Sequence, residues 1–174
     1  MKSCCHIYIG DGKGKSTAAL GLALRAAGAD LRVFYSQFLK QENSSELSSL
    51  ALLPNITVQK GEPTDGFLFF MDEAQRAQAA ASALSRLKIA KAHLRGGNYD
   101  MVILDEFLWL LSAEIVSVED ALELIHTRAE NCELVLTGGH APAELIDAAD
   151  YVSEIQKIRH PFDQDAPPRR GIEF

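Results

Sequence analysis

Short apolar runs alternate with longer amphipathic runs along the whole chain. Apolar runs without polar interruptions are typical of strands buried on both faces of a parallel sheet. They predict strands at 6–9, 31–38, 56–59, 101–104, 134–137 and 151–158. The runs between them have helical periodicity and predict helices at 16–27, 44–53, 72–94, 118–128 and 143–149. This alternation predicts an α/β fold with a doubly wound, mostly parallel sheet and helices on both faces.

The longest predicted helix, at 72–94, shows apolar residues at steps of three and four. Such steps place side chains on one face of a helix. We expect that face to consist of Ala77, Ala80, Leu84, Leu87, Ala90 and Leu94. No internal repeat and no linker-like segment divides the 174 residues, so we predict a single domain over 1–174.

A glycine-rich loop separates the first predicted strand from the first predicted helix. Its glycines permit positive φ angles and turn successive N–H groups toward an anion, to which the following helix adds its positive dipole end. Lys15 supplies a charge for the outer phosphates, and the Ser16 hydroxyl is placed for Mg²⁺. The spacing is one residue shorter than the usual phosphate loop. We predict a P-loop NTPase-like, RecA-type fold in which ATP is bound by Gly10, Asp11, Gly12, Lys13, Gly14, Lys15, Ser16 and Thr17.

Two acidic residues end the apolar run at 101–104. Asp105 and Glu106 are therefore expected at the carboxyl end of a buried strand, the edge at which ligands bind in open α/β sheets. A carboxylate at this point can hold Mg²⁺ directly or through water. We predict both residues as metal ligands together with Ser16.

Composition excludes several classes of function. Acidic residues outnumber basic ones by 24 to 17, and no basic run suggests binding to nucleic acid. No apolar run is long enough for a membrane span, and no secretory signal pattern is present. Cys4, Cys5 and Cys132 do not form a disulfide pattern, and Cys4-Cys5-His6 lacks a partner pair at zinc spacing. We expect a reducing cytoplasm as the compartment.

These features resemble one family in particular. The loop and its continuation to Gly28 closely resemble the opening of P-loop ATP:cob(I)alamin adenosyltransferases. The resemblance continues in the same order through most of the chain, in Gln37-Phe38-Leu39-Lys40, Val102-Ile-Leu-Asp-Glu106, Leu136-Thr137-Gly138, Ala149-Asp150-Tyr-Val-Ser153-Glu154, His160-Pro-Phe162 and Gly171-Ile-Glu-Phe174.

The resemblance implies a reaction and its reactants. Co(I) of a reduced corrinoid attacks C5′ of ATP, and triphosphate leaves. Family members bind ATP in the reverse of the usual P-loop direction. By carry-over, Ser16 and Glu106 would bind Mg²⁺, Arg25 would touch the nucleotide, and Lys15 would stabilise the leaving group. The family also implies a homodimer and an electron-donating reductase, of the flavin type, as partner.

An aromatic run has a counterpart in the family's Gly-Phe-Thr-Trp. Here Gly66 is followed by Phe67, Leu68 and Phe69, so Phe69 replaces the tryptophan. The family's aromatics shape the corrinoid site and keep the lower axial ligand off cobalt. The resemblance thus adds Phe67 and Phe69 to Lys15 as catalytic residues, while core packing remains the alternative interpretation of this run.

The sequence departs from the family at Gly139, where an arginine that helps hold the phosphates is usual. Arg169 or Arg170 are candidates for compensating this lost charge. Two alternative functions stay open. One is a different P-loop phosphotransferase or NTPase. The other is a nucleotide- or corrinoid-binding module with impaired catalysis, which Gly139 and Phe69 motivate.

Overall fold

The predicted strands associate into one parallel sheet. The computed structural model describes residues 3–39, 44–59, 71–164 and 166–173. The strands are β1 (Cys5–Ile9), β2 (Val33–Gln37), β3 (Ile56–Val58), β4 (Met101–Asp105), β5 (Glu133–Thr137) and β6 (Tyr151–Glu154). Their order is β3-β2-β4-β5-β1-β6, with every pair parallel. One strand, β5, thus separates the loop-bearing β1 from the acid-bearing β4, which is the RecA-type arrangement predicted from the sequence.

Helices cover both faces of this sheet. They are α1 (Lys15–Ala27), α2 (Ser45–Leu50), α3 (Glu73–Gly96), α4 (Leu108–Ser112), α5 (Val118–Thr127) and α6 (Ala143–Ala148), followed by a 3-10 helix (Pro161–Gln164). Neither α4 nor the 3-10 helix was predicted. None of the helices in the described ranges is long and apolar enough to cross a lipid bilayer.

The apolar residues of the strands divide between two cores because side chains alternate along a strand. One core joins α1 and α2 to the sheet and contains Ala19, Ala23, Ala26, Val33, Tyr35, Leu50, Ile103 and Val135. The other joins α3, α5 and α6 to the opposite face and contains Ile7, Phe34, Leu87, Leu94, Val102, Leu124, Leu134 and Leu145. This division confirms the doubly wound α/β fold.

Helix α3 buries a different stripe from the one predicted. It begins with a capping box, in which the amide of Gln75 donates to the Asp72 side chain over 2.8 Å. Its buried residues are Ala79, Ala83, Leu87, Ala90 and Leu94. The predicted positions Ala77 and Leu84 are exposed. The prediction was therefore wrong in the first half of the helix and correct from Leu87 onward.

The last strand is shorter than predicted. β6 ends at Glu154, whereas the apolar pattern extended the strand to position 158. Its four residues are all exposed, and β6 pairs with β1 on one side. After Glu154 the backbone leaves the sheet and passes beside the glycine-rich loop.

Candidate active site

The glycine-rich loop lies at the carboxyl end of β1 and leads directly into α1. Gly10 has φ 118° and Gly14 has φ 128°, backbone conformations that residues with a Cβ rarely adopt. Gly14 is also the N-cap of α1, and within the described residues no side chain caps this first turn. The N–H groups of the first helical turn thus face the loop, as in an anion-binding helix terminus.

The segment after β6 braces this loop. The amide of Gly12 donates to the carbonyl of Ile155 over 2.8 Å. A Cβ at Gly10 or Gly12 would lie 2.3 or 2.7 Å from that carbonyl oxygen, so neither position accepts a side chain. The Asp11 carboxylate accepts the amide of Lys157 at 2.9 Å. Asp11 therefore holds the backbone in place, a structural task that sequence reasoning did not assign to it.

The two loop lysines have different surroundings. Lys15 is half-buried, and its Nζ donates to the carbonyl of Gly12 over 2.9 Å, so the ammonium group lies across the loop itself. Lys13 is exposed and points away, with its Nζ 3.2 Å from the Glu173 carboxylate in the C-terminal tail. This geometry favours Lys15 over Lys13 as the main cation for a bound anion.

Ser16 and Thr17 belong to the first turn of α1, where Ser16 is half-buried and Thr17 is exposed. Arg25 belongs to the last turn. At a rise of about 1.5 Å per residue, its backbone lies about 15 Å along the helix from Lys15. The backbone of Arg25 is therefore distant from the loop, and contact of its side chain with a nucleotide stays a prediction.

The carboxylate of Asp105 is completely buried at the end of β4. Oδ2 accepts the Tyr35 hydroxyl at 2.9 Å and the Gln37 amide group at 3.1 Å, while Oδ1 accepts the Thr137 hydroxyl at 2.7 Å. Burial, together with the carboxylate, raises the pKa of Tyr35 well above its usual value, so its phenol remains a proton donor. With three protein donors and no exposed surface, Asp105 is disfavoured as a direct Mg²⁺ ligand.

Of the two acidic residues at the end of β4, Glu106 is the one that retains access to solvent. It is half-buried and has φ 60°, an uncommon conformation for a residue with a Cβ. Its amide donates to Thr137 Oγ1 over 2.8 Å, and Thr137 in turn donates to Asp105. The buried Asp105–Thr137 pair therefore fixes the backbone that presents Glu106. Sequence reasoning did not identify Thr137 or Tyr35 as parts of this site.

The loop and Glu106 are two strands apart. Adjacent strands are about 4.8 Å apart, which puts β1 and β4 about 10 Å from each other. The turn after β5 is linked to the start of the loop, because the amide of Gly10 donates to the carbonyl of Gly139 over 3.0 Å. The distance leaves room for phosphate groups and a cation between the loop and Glu106.

Helix α4 approaches this turn closely. A Cβ at Gly138 would lie 2.5 Å from the Cβ of Leu108, and one at Gly139 would lie 2.5 Å from the indole ring of Trp109. Position 139, where the resemblance led us to expect an arginine, is thus covered by Trp109. The indole can lie there only because residue 139 has no side chain.

The C-terminal tail is attached to the loop through Glu173. Arg169 donates to its carboxylate through the backbone and the guanidinium group, and Lys13 approaches from the loop. These contacts lower the pKa of Glu173 to about 2, with the Arg169 side chain as the largest cause. Arg169 is therefore engaged with Glu173, which leaves Arg170 as the remaining tail candidate for contact with the phosphates.

We expect this attachment to depend on pH. Because the folded pKa is depressed below 4.5, the tail contacts are complete above that pH and are lost as pH falls toward 2. NMR titration of the Glu173 carboxyl carbon should give a midpoint near 2 in the unaltered chain. In Arg169→Gln the midpoint should rise toward 4.5, and an unchanged midpoint would refute Arg169 as the main cause.

Phe67 and Phe69, which the resemblance added as catalytic residues, lie outside the described residues. The cysteines and His6 lie away from the phosphate loop and Glu106. The three cysteines are free thiols, and burial raises the pKa of Cys5 and Cys132 to about 12. His6 is engaged by the Glu133 carboxylate at 2.8 Å. Within the described ranges no group of three or more His, Cys, Asp or Glu residues is arranged to hold a metal.

Comparison with known proteins identifies one family. Residues 1–174 match the family model described as ATP:corrinoid adenosyltransferase BtuR/CobO/CobP. A protein named corrinoid adenosyltransferase from Escherichia coli strain K12 is 29% identical over 168 residues, which is 97% of this chain and 84% of the relative. A protein of the same name from Pseudomonas aeruginosa is 31% identical, over 97% of this chain and 82% of the relative. Another from Sinorhizobium is 30% identical, over 99% of this chain and 81% of the relative.

Among solved structures, the cytoplasmic domain of the type VII secretion ATPase EccC from Thermomonospora curvata superposes with a TM-score of 0.49 and 15% identity. The match covers 94% of this chain and 21% of that one. The fold assignment rests instead on the strand order and on the position of the loop between β1 and α1.

Proposed function

Since the chain belongs to the ATP:corrinoid adenosyltransferase family, we propose that its phosphate loop holds ATP for transfer of the 5′-deoxyadenosyl group to Co(I) of a corrinoid. The electron pair of Co(I) forms the bond to C5′, and the cobalt becomes formally Co(III). The bond between C5′ and its oxygen breaks, and its electron pair leaves with triphosphate. No proton moves in this step, so the site needs no general base.

The task left to the protein is to stabilise the leaving group. Negative charge collects on triphosphate as the bond breaks, and preorganised N–H groups and cations lower the energy of that state. The uncapped first turn of α1 and the ammonium group of Lys15 are arranged for this role. Their arrangement in one braced loop is the observation that carries the proposal.

The donor set also fits Mg²⁺, which prefers oxygen ligands. We propose Ser16 and Glu106 as its protein contacts, directly or through water, and assign Asp105 the task of orienting Glu106. Mg²⁺ bound there would neutralise charge on the phosphate oxygens. The chain's own contribution would be two oxygen donors for one cation, one from the first turn of α1 and one from the residue after β4.

The test is an anaerobic assay with ATP, Mg²⁺ and chemically reduced cobalamin. We expect a cobalt–carbon bond in the absorption spectrum and an equal amount of triphosphate. Formation of ADP without triphosphate would instead support another P-loop phosphotransferase. ATP binding without either product would support a binding module with impaired catalysis.

Replacing Glu106 with glutamine should raise the Mg²⁺ concentration needed for half-maximal activity by about tenfold or more, because an amide is a weaker metal ligand. Thermal unfolding of the variant is measured alongside and establishes that it is folded. Glu130→Gln, an exposed change at the turn before β5, is the matched control. An unaltered Mg²⁺ dependence in Glu106→Gln would exclude this residue as a ligand.

The remaining partners follow from the chemistry and the family. Co(I) requires a reductant, so we propose an electron-donating reductase, of the flavin type, as partner. Phe67 and Phe69 remain proposed contacts of the corrinoid. A homodimer and a cytoplasmic location are likewise expectations, which sedimentation and cell fractionation would test.

A further inference from the structure

The only tryptophan in the sequence lies at the catalytic edge of the sheet. Trp109 lies in α4, which follows the turn at Glu106, and its amide donates to the Glu106 carbonyl over 3.3 Å. Its neighbours Leu108 and Leu110 are completely buried, whereas 38% of Trp109 is exposed. The buried leucines on both sides thus anchor the helix, and Trp109 between them remains partly open to solvent.

The indole occupies the space of a missing side chain. The six-membered part of the ring lies where the Cβ of residue 139 would be, at 2.5 and 2.6 Å for its two nearest carbons. Only glycine permits this approach. The Gly139 carbonyl accepts the amide of Gly10, the first residue of the phosphate loop. Trp109 therefore contacts a residue that is hydrogen-bonded to the loop, and it follows Glu106 by three positions in the sequence.

We propose that Trp109 is a contact residue for the bound nucleotide, which it meets at the position that a side chain at 139 would otherwise take. This inference rests on the proposed function, because it needs a nucleotide between the loop and Glu106. An indole offers a large rigid surface and one N–H donor, and it loses little conformational entropy on binding. It thus replaces an ionic contact with an aromatic one.

Three observations support a nucleotide over other occupants. The indole lies on the loop side of Glu106, and its contact residue Gly139 is hydrogen-bonded to the loop itself. Its flanking leucines already fill the core, so the exposed part of Trp109 is not needed for packing there. Contact with a corrinoid and burial against a second copy of the chain are the alternative outcomes of the test.

The first experiment uses the unaltered chain and its single tryptophan. Acrylamide quenching of fluorescence is measured with and without ATP and Mg²⁺, while calorimetry establishes saturation. We expect ATP to shield the indole and lower the quenching constant. An unchanged constant at saturating ATP would overturn the proposal. Shielding that appears only with cobalamin, or only at protein concentrations where dimers form, would also overturn it.

The second experiment separates contact from structure. Trp109→Ala should raise KM for ATP about five- to tenfold while kcat at saturating ATP changes less than about twofold. Trp109→Phe should lie between Trp109→Ala and the unaltered chain. Tyr151→Ala removes an exposed aromatic at the amino end of β6 and should leave both constants unchanged. Equal KM values for Trp109→Ala and the unaltered chain would refute the contact.

A third comparison uses the shared space. Gly139→Arg alone must displace the indole and should weaken ATP binding. Adding Trp109→Ala should then restore it, so that the double variant binds ATP better than Gly139→Arg alone. Additive losses would contradict a shared position. Triphosphate formation in the unaltered chain is measured separately, so failure of this inference remains distinct from failure of the proposed function.

Discussion

Replacing Lys15 with alanine is expected to weaken ATP binding by about 100-fold or more, equivalent to about 2.7 kcal/mol, while the fold stays intact. Charge-assisted hydrogen bonds to phosphate are among the strongest polar contacts in proteins. Lys15 is half-buried across the loop, and its Nζ donates to the Gly12 carbonyl. A bound triphosphate would offer this ammonium group a stronger, charged acceptor at short range.

Lys13→Ala is the matched control, because it removes the same charge two residues earlier. Its Nζ pairs with Glu173 instead of facing the loop, so we expect ATP affinity to fall by less than about fivefold. Calorimetric titration measures both affinities, and thermal unfolding establishes that both variants are folded. Similar losses in the two variants would mean that overall charge, and not the position of Lys15, governs binding.

The sheet was predictable because its strands are buried on both faces. A short, continuous apolar run such as that at 101–104, bounded by Asp100 and Asp105, is typical of a central strand in a parallel sheet. The phosphate loop was predictable for a different reason. Its chemistry is local, since glycines, lysine and serine act through adjacent backbone positions, and no distant partner is needed to recognise them.

The errors arise where tertiary contacts decide. In α3, alanines are spread around the helix, so several stripes look apolar. The predicted stripe from Ala77 to Leu94 uses steps of about 3.4 residues and drifts away from the 3.6 of a straight helix. Packing against the sheet selects the stripe through Ala79 and Ala83 instead.

β6 ends early for a comparable reason. The backbone after Glu154 forms hydrogen bonds with the phosphate loop. The Ile155 carbonyl accepts the amide of Gly12, and the Lys157 amide donates to the Asp11 carboxylate. The apolar pattern could not reveal this competition for hydrogen bonds. Helix α4 was missed because Leu108–Ser112 has one short apolar stretch without a period.

The different roles of Asp105 and Glu106 were also beyond local reasoning. Both are acids after the same strand, and their positions in the sequence make them equivalent candidate ligands. The difference comes from β2 and β5, which supply Tyr35, Gln37 and Thr137 to the buried carboxylate of Asp105, whereas Glu106 is only half-buried. Strand order, known only from the fold, decides which acid is buried.

Replacing Asp105 with alanine should therefore lower the free energy of unfolding by about 3 kcal/mol or more, as three buried donors lose their acceptor. Activity should fall as well, since Thr137 would no longer be held where it receives the Glu106 amide. Urea unfolding measures the first effect. The Mg²⁺ dependence of adenosylation measures the second and should shift in the same direction as in Glu106→Gln.

Tyr35→Phe is the companion variant, because it removes one donor and keeps those from Gln37 and Thr137. We expect a loss of about 1 kcal/mol in the free energy of unfolding and an Mg²⁺ dependence close to that of the unaltered chain. If Asp105→Ala changed the Mg²⁺ dependence without loss of stability, Asp105 would act on the metal itself. If Asp105 instead positions Glu106, Asp105→Ala should show both a large loss of stability and a changed Mg²⁺ dependence.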